Sequence, residues 1–347
     1  MDLRLDRRGT LWGLLAVALT LVLVVLGSSG LTWFDAALIG YLFGTLFAIF
    51  GVAYRYTVWL QRPPTARLNK RGWELLWKPG ARTRNLTALP GLIVSKLFIQ
   101  DFIFKRSKLR WLAHQLIFWG CILAALVTFP LTFGWLHFRS AGPTGEDAAR
   151  YTMWLADFPT ISFDPRGFFG FLVIHALNIS AVLVLAGVFL FLGRRLRDPA
   201  ALAVERSSDL LPLAGLFAVS VTGMALTVSN MFLEGRFYAF LTTTHALTVI
   251  LGLMYIPFGK LFHIFQRPAN LGVAYYKREG AEGAQALCAS CGQPWAAQMQ
   301  VDDLKQVLPQ VGFDYSTADG GNYQDNCPRC RRRMVALAQS SGVGGFG

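Results

Sequence analysis

The sequence predicts an all-α membrane protein: six transmembrane helices, four of them forming a core, followed by a small four-cysteine metal-binding tail. Three observations carry this. The chain of 347 residues is 54% hydrophobic and only 15% charged, with a mean hydropathy of +0.42, far more apolar than a soluble domain of its length needs. Six segments stay apolar over the ~20 residues a helix needs to cross a hydrocarbon core of about 30 Å. Beyond the last of them, two CxxC pairs stand in an otherwise polar stretch.

The spans are expected at residues 10–30, 34–59, 109–136, 168–193, 209–232 and 237–265. The first follows the basic stretch MDLRLDRRGT, as a signal peptide would, but no small-residue cleavage motif comes after it, so it reads as a retained anchor. Orientation follows from Lys and Arg. Between Arg55 and Arg110 there are 13 of them against two acids, Glu74 and Asp101, whereas His137–Gly167 holds three basic and four acidic residues. The basic loop is therefore expected on the cytoplasmic side, with both termini. The net charge of +13 serves this bias and contact with anionic membrane lipid rather than nucleic acid.

Within the basic loop, QRPPTARLNK is a Pro-broken exit from the second span, and LIVSKLFIQDFIFKR, too short to span, is expected to lie in the interface from Leu92 to Arg106. The expected division is an N-terminal hairpin (1–60), a basic cytoplasmic loop with an interfacial helix (61–107), a four-helix core (108–266) and a cytoplasmic tail (267–347). No solenoid repeat is visible, and the only low-complexity tract, SSGVGGFG, is expected to fray.

The five histidines raise the sharper question. His245 and His263 are 18 residues apart, five turns on one continuous helix, which would point both in one direction about 27 Å apart. Imidazole inside lipid needs a partner, and haem iron is a common one. Hydroxyls or water could instead satisfy either ring alone. Depth supplies the pairs: His114, at the cytoplasmic start of the third span, with His263, and His175, early in the fourth span, with His245. Each pair can share an iron, and two bis-histidine b haems, one per leaflet, would form an electron wire. His137, at the outer end of the third span, is an interfacial residue, a quinol contact or a substitute for His175. Gly120, Gly134, Gly170, Gly187, Gly223 and Gly252 offer room for a flat macrocycle, or simply close helix packing.

Three stretches, RWLAHQLIFWG at 110–120, DLLPLAGLFAVSVTGMALTVSN at 209–230 and above all HALTVILGLMYIPFGKLFHIFQRP at 245–268, resemble the membrane cytochrome b subunits related to the respiratory nitrate reductase gamma subunit, including those of heterodisulfide reductase and the sulfite-reduction-linked complex. The resemblance covers residues 108–268. It implies two b haems, on His245, His263 and His114 with a fourth ligand from His175 or His137. It also implies a quinol or quinone (menaquinone or ubiquinone) exchanging electrons with cytoplasmic iron-sulfur subunits, in the inner membrane of a prokaryote. A quinol site is expected at the outer face, where His137, Arg139, Asp164 and Arg236 offer hydrogen-bonding and proton-accepting groups.

The tail holds Cys288, Cys291, Cys327 and Cys330 as two CxxC pairs with 35 residues between them. On the cytoplasmic side a disulfide is disfavoured, and the pair of pairs matches four-thiolate coordination. Structural zinc is expected, with a rubredoxin-like iron as the alternative, and the basic cluster around Arg331 could steer an acidic partner. Cys121, within the third span, reads as a small core residue. Two other classes compete: a six-helix transporter, which would want acids or broken helices near the midplane, and a haem-free membrane anchor.

Overall fold

A computed structural model describes residues 5–141, 150–197, 207–317 and 320–343. Its chain divides into two compact units, Met1–Thr57 with Ile99–Phe265, and Val58–Phe98 with Gln266–Gly347.

In the first unit six helices are long and apolar enough to cross a membrane, so the chain is a multi-pass membrane protein. Helix α1 (Arg7–Gly27) starts where the Asp6 carboxylate accepts from the Gly9 N–H at 2.6 Å. It packs on α2 (Ile39–Gln61) through small residues: a Cβ on Gly9 or Gly13 would lie 2.9 or 2.7 Å from the rings of Tyr54 or Phe50. After α3 (Pro63–Leu76), α4 (Arg82–Ile93) and the short α5 (Asp101–Phe104) comes the third span, α6 (Lys108–Thr132). The fourth is α7 (Phe168–Ile174) followed by α8 (Ala176–Arg197), with His175 at the joint. Gly120 of α6 and Gly187 of α8 are close-packing positions rather than room for a ring: a Cβ on either would come within 2.7 Å of the facing helix, and Ser180 Oγ donates to the Gly120 carbonyl at 2.8 Å. The last two spans are α9 (Ser207–Phe232) and α10 (Tyr238–Tyr255).

Two expectations change here. The fold is not all-α, because three strands after the third span form an antiparallel sheet: β1 (Leu136–Ala141), β2 (Arg150–Leu155) and β3 (Phe158–Phe163). Gly134, at φ +72° and with Trp33 O only 2.5 Å from where a Cβ would stand, ends α6 and starts the sheet. His137 is thus on a strand, opposite Trp154 in the β1–β2 register. The acids Glu146 and Asp147 of this loop lie outside the described residues.

The second change is that His245 and His263 do not share one helix. α10 ends at Tyr255, Gly259 is extended, and a 3-10 turn (Lys260–Phe262) leads into α11 (His263–Gln266). Pro257 lacks the N–H that the next turn would need. The five-turn geometry expected for these two histidines therefore does not exist.

The second unit joins two segments expected to be independent. α3 crosses α12 (Asn270–Glu282) at Gly72 and Gly272, where a Cβ on Gly72 would be 3.0 Å from the partner Cα. Asn85 of α4 donates to Leu75 O at 2.6 Å and accepts from Arg278, and Tyr275 donates to Asn85 O at 2.9 Å. From α13 (Gln298–Gln310), Asp303 accepts from Arg67, Arg71 and Tyr276. The segment expected as one interfacial helix, Leu92–Arg106, is broken by a π turn at Val94–Phe98 and by left-handed Gln100 (φ 57°). The hairpin β4 (Gln285–Leu287) with β5 (Pro294–Ala297) and the final helix α14 (Pro328–Val343) complete the tail, so the tract expected to fray begins as helix, and its last four residues lie outside the described ones.

Candidate functional site

Four cysteines converge in the tail. Cys288, buried, follows β4; Cys291 lies on the turn closed by Gly292 (φ 69°); Cys327 and Cys330 bracket the first turn of α14. Their four sulfurs all lie within 4.8 Å of one another, with Cys291 and Cys327 at 3.9 Å. A tetrahedral ion with metal–sulfur bonds of about 2.3 Å sets sulfurs about 3.8 Å apart, so the donor set fits. The Cys327 N–H donates to Cys288 Sγ at 3.2 Å and holds that thiol down to about 6. Cys330, sharing its proton with Cys327 and its neighbours, is pushed up to about 12. Four adjacent sulfurs shed their protons together only around a cation.

Within the basic cluster, Arg331 is engaged with the cysteine module itself. Its guanidinium lies over Trp295 at 4.7 Å and Tyr323 at 5.7 Å, and it donates to Asn326 O (2.6 Å) and Gln324 Oε1 (2.8 Å), bracing the cysteine module from within. Arg329, Arg332 and Arg333 remain exposed.

Among the spans, His114 on α6 meets His263 on α11, with ring centroids 6.4 Å apart and planes inclined at 72°. Two imidazoles on opposite sides of one metal, at about 2.0–2.1 Å per bond, have centres roughly 6–6.5 Å apart, and the centroid spacing here is of that size. The Lys260 carbonyl only accepts, so at 2.6 Å it fixes His263 Nδ1 as the donor and leaves Nε2, in the neutral ring, as the lone-pair nitrogen. Sequence reasoning missed what sets this loop. Arg55, from α2, donates to the carbonyls of Pro257 and Gly259 and stacks over buried Phe262 at 4.3 Å, bracing the break just before His263. The isolated arginine at the end of an apolar span was the available signal.

The other pair is not brought into ring contact. His245 Nδ1 lies 2.9 Å from Thr222 Oγ1, which also lies 2.7 Å from Ala218 O, 3.1 Å from Val219 O and 3.3 Å from Thr248 Oγ1. With the hydroxyl donating to a carbonyl of its own helix, His245 Nδ1 is the donor and Nε2 the lone-pair atom. Gly223 gives this ring its space, a Cβ there lying 3.2 Å from His245 Cε1; of the six glycines singled out, it is the one that abuts a histidine. His175 Nδ1 faces Asn178 Nδ2 at 3.1 Å, and Asn178 Oδ1 accepts from Thr227 on α9 at 2.9 Å. With the amide oriented so, His175 carries its hydrogen on Nε2, and a half-turn of the amide reverses the tautomer. Thr222 and Thr227 are five residues, about 7.5 Å, apart along α9, so the two histidines are anchored at different levels.

His137 sits in an aromatic stack, 4.1 Å from the Trp33 ring and 6.2 Å from Trp154, with the Arg139 guanidinium over both tryptophans at 4.2 and 4.3 Å. Both its ring nitrogens are buried without a hydrogen-bond partner, and burial first, then Arg139, pushes its pKa down. Asp157 accepts from Ser29 Oγ (2.5 Å) and Trp33 Nε1 (3.4 Å) at the edge of the stack. Of the four expected quinol-site residues, His137 and Arg139 are together. Asp164 instead caps the turn before α7 by accepting from the Arg166 N–H, and the Arg236 carbonyl accepts from Ser229.

Fold and sites define a multi-pass membrane protein with two neighbouring histidines, one on the third span and one beyond the end of the sixth, and a four-cysteine cluster of metal-ligand type in the other compact unit. No family model matches the chain, and no curated protein or solved structure matches it either.

Proposed function

We propose that the chain is the membrane cytochrome b subunit of a respiratory complex, an oxidoreductase component that passes electrons through two b haems between the quinone pool and a soluble iron-sulfur partner. The observation that carries the reading is the meeting of His114 and His263 at one-metal spacing, with His263 Nδ1 committed to a backbone carbonyl. Haem bound there and at His245 would supply one-electron chemistry inside the bilayer. The chain's own residues do the rest. Lys260 O and Thr222 Oγ1 hold the Nδ1 atoms of His263 and His245, which would leave each Nε2 for the ligand, and Arg55 braces the loop that carries His263. With His175 as fourth ligand, the Asn178 amide takes the rotated orientation.

The quinol end of this reading rests on His137 and Arg139. Burial keeps His137 neutral, so a ring nitrogen can accept a proton from a quinol hydroxyl while Arg139 holds the oxygen. The basic side, cytoplasmic by its charge bias, faces the soluble partner, and zinc in the four-cysteine site gives the tail its fold. The prokaryotic inner membrane is the setting this chemistry implies.

Pyridine haemochrome analysis of the purified protein tests the reading: two haems per chain are expected, and none refutes it. His263→Ala should remove one haem and His245→Ala the other. Loss of the second on replacing His137 but not His175 would reassign the fourth ligand.

A further inference from the structure

A cavity lies where α6 begins and α8 ends, apart from every histidine discussed. It measures about 400 Å³ and is lined by Leu109, Phe189, Leu190, Gly193, Arg194 and Arg197. That is within the range of about 300–1,000 Å³ typical of small-molecule sites. The space is real at its floor: a Cβ on Gly193 would meet nothing within 4 Å. One wall is apolar, with Phe189 and Leu109 58% and 45% exposed. The other is cationic, and the Arg194 Nε is buried without a hydrogen-bond partner in the structure.

We propose that this cavity binds one anionic phospholipid, its phosphate on Arg194 and Arg197 and an acyl chain along Leu109, Phe189 and Leu190. Arginines at the end of a span commonly reach toward the headgroups, and that alone needs no site. Here, however, two arginines three residues apart on α8 line one cavity and the Arg194 Nε has no hydrogen-bond partner in the protein, so a phosphate offers these planar forks the paired acceptors that suit them. The position is the headgroup level of two spans, where basic pockets between helices take acidic lipid. The sequence flanking the lining residues has the same sign. Lys105, Arg106, Lys108 and Arg110 lead into α6, and Arg195 stands beside Arg194, while Asp101 is held by Lys105 at 3.5 Å.

The chemistry also sorts the competitors. Free inorganic phosphate would leave the apolar wall bare, and a neutral quinone would leave the guanidinium unmatched. A zwitterionic phospholipid brings the phosphate but sets its ammonium against these basic residues. The proposal depends only on the spans and stands apart from haem binding.

The test is native mass spectrometry of the full-length protein, delipidated in mild detergent and reloaded with phosphatidylglycerol or with phosphatidylcholine of the same chains. One phosphatidylglycerol per chain should be retained in preference to phosphatidylcholine. Each arginine near a membrane surface contributes roughly fivefold, so Arg194→Gln with Arg197→Gln should lower retention roughly 25-fold. Gly193→Leu fills the cavity with the charges left in place, and Leu is the better helix former, so this variant folds and should also lose the lipid. Equal retention of the two lipids, wild-type retention in both variants, or retention of a neutral quinone alone would overturn the proposal.

Discussion

Asp303 holds the second unit together, and replacing it with alanine should open that unit. Its side chain is 8% exposed and accepts from Arg67 Nε at 2.6 Å, Arg71 Nη2 at 3.1 Å and Tyr276 at 2.9 Å. The alanine variant would leave two guanidinium groups, 20% and 26% exposed, around an uncharged hole. Removing one partner from a buried charge cluster costs about 3–5 kcal/mol, against about 0–1 for a surface pair. Arg71 keeps Glu74 at 3.1 Å and both arginines retain some water, so the low end applies, about 3 kcal/mol or roughly 150-fold in the opening equilibrium. Amide hydrogen exchange in detergent reads this directly, as loss of protection in α3 (Pro63–Leu76) and α13 (Gln298–Gln310) while the spans stay protected. A change of fivefold or less would show that the cluster behaves as a surface ion pair and that the argument is wrong. The pH dependence has a definite sign. Burial raises the Asp303 pKa, but hydrogen bonds from Arg71, Arg67 and Tyr276 outweigh it and the net shift is down. Its stabilisation is therefore complete above the unfolded value of about 3.9 and is lost as pH falls through the lower folded value.

Thr222→Val should unseat the His245 ring and weaken metal binding there about 10–100-fold while the His114–His263 site keeps its spectrum, with Thr222→Ser restoring it; an unchanged second haem in the valine variant would remove Thr222 from the account. Cys291→Ser with Cys327→Ser should abolish tail-bound metal, read by elemental analysis, and leave both haem spectra intact; partner binding and quinol-driven electron transfer retained in full would make the tail dispensable. Because the folded state holds the His137 pKa below its unfolded value of about 6.5, the three-stranded sheet should be most stable above that pH and loosen as pH falls below it, and His137→Gln should flatten the profile measured by proteolysis of the sheet.

The spans were legible because composition alone decides them, and the observed bounds lie within a few residues of the expected ones except where the chain breaks, at His175 in the fourth span and after Tyr255 in the sixth. The cysteine cluster was legible because two CxxC pairs admit few other geometries. The sheet was not: Leu136–Ala141 continues an apolar run, and its alternation acquires meaning only when Trp154 lies opposite His137. The break at Pro257 was written in the sequence yet masked by the apolar residues on both sides, and the appeal of two histidines at helical spacing hid it further. Despite that, His114 and His263 do meet, because depth in the bilayer, unlike rotation about an axis, survives a broken helix. Asp303 carried no local signal, since an acid on a polar helix reads as solvated until two arginines from a distant loop arrive.

That distance bears on biogenesis. Arg67 and Asp303 are 236 residues apart, and four of the six spans are made between them. At about 5–20 residues per second, α3 waits roughly 10–50 seconds for its partner carboxylate, its arginines paired with nothing built so far from the tail. Metal capture by the cysteines comes later still, since Cys327 and Cys330 follow Asp303 in the chain. A closed second unit therefore certifies that translation has run through the six spans that precede Asp303, and a ribosome that stalls early leaves an open, arginine-rich loop for a protease to find.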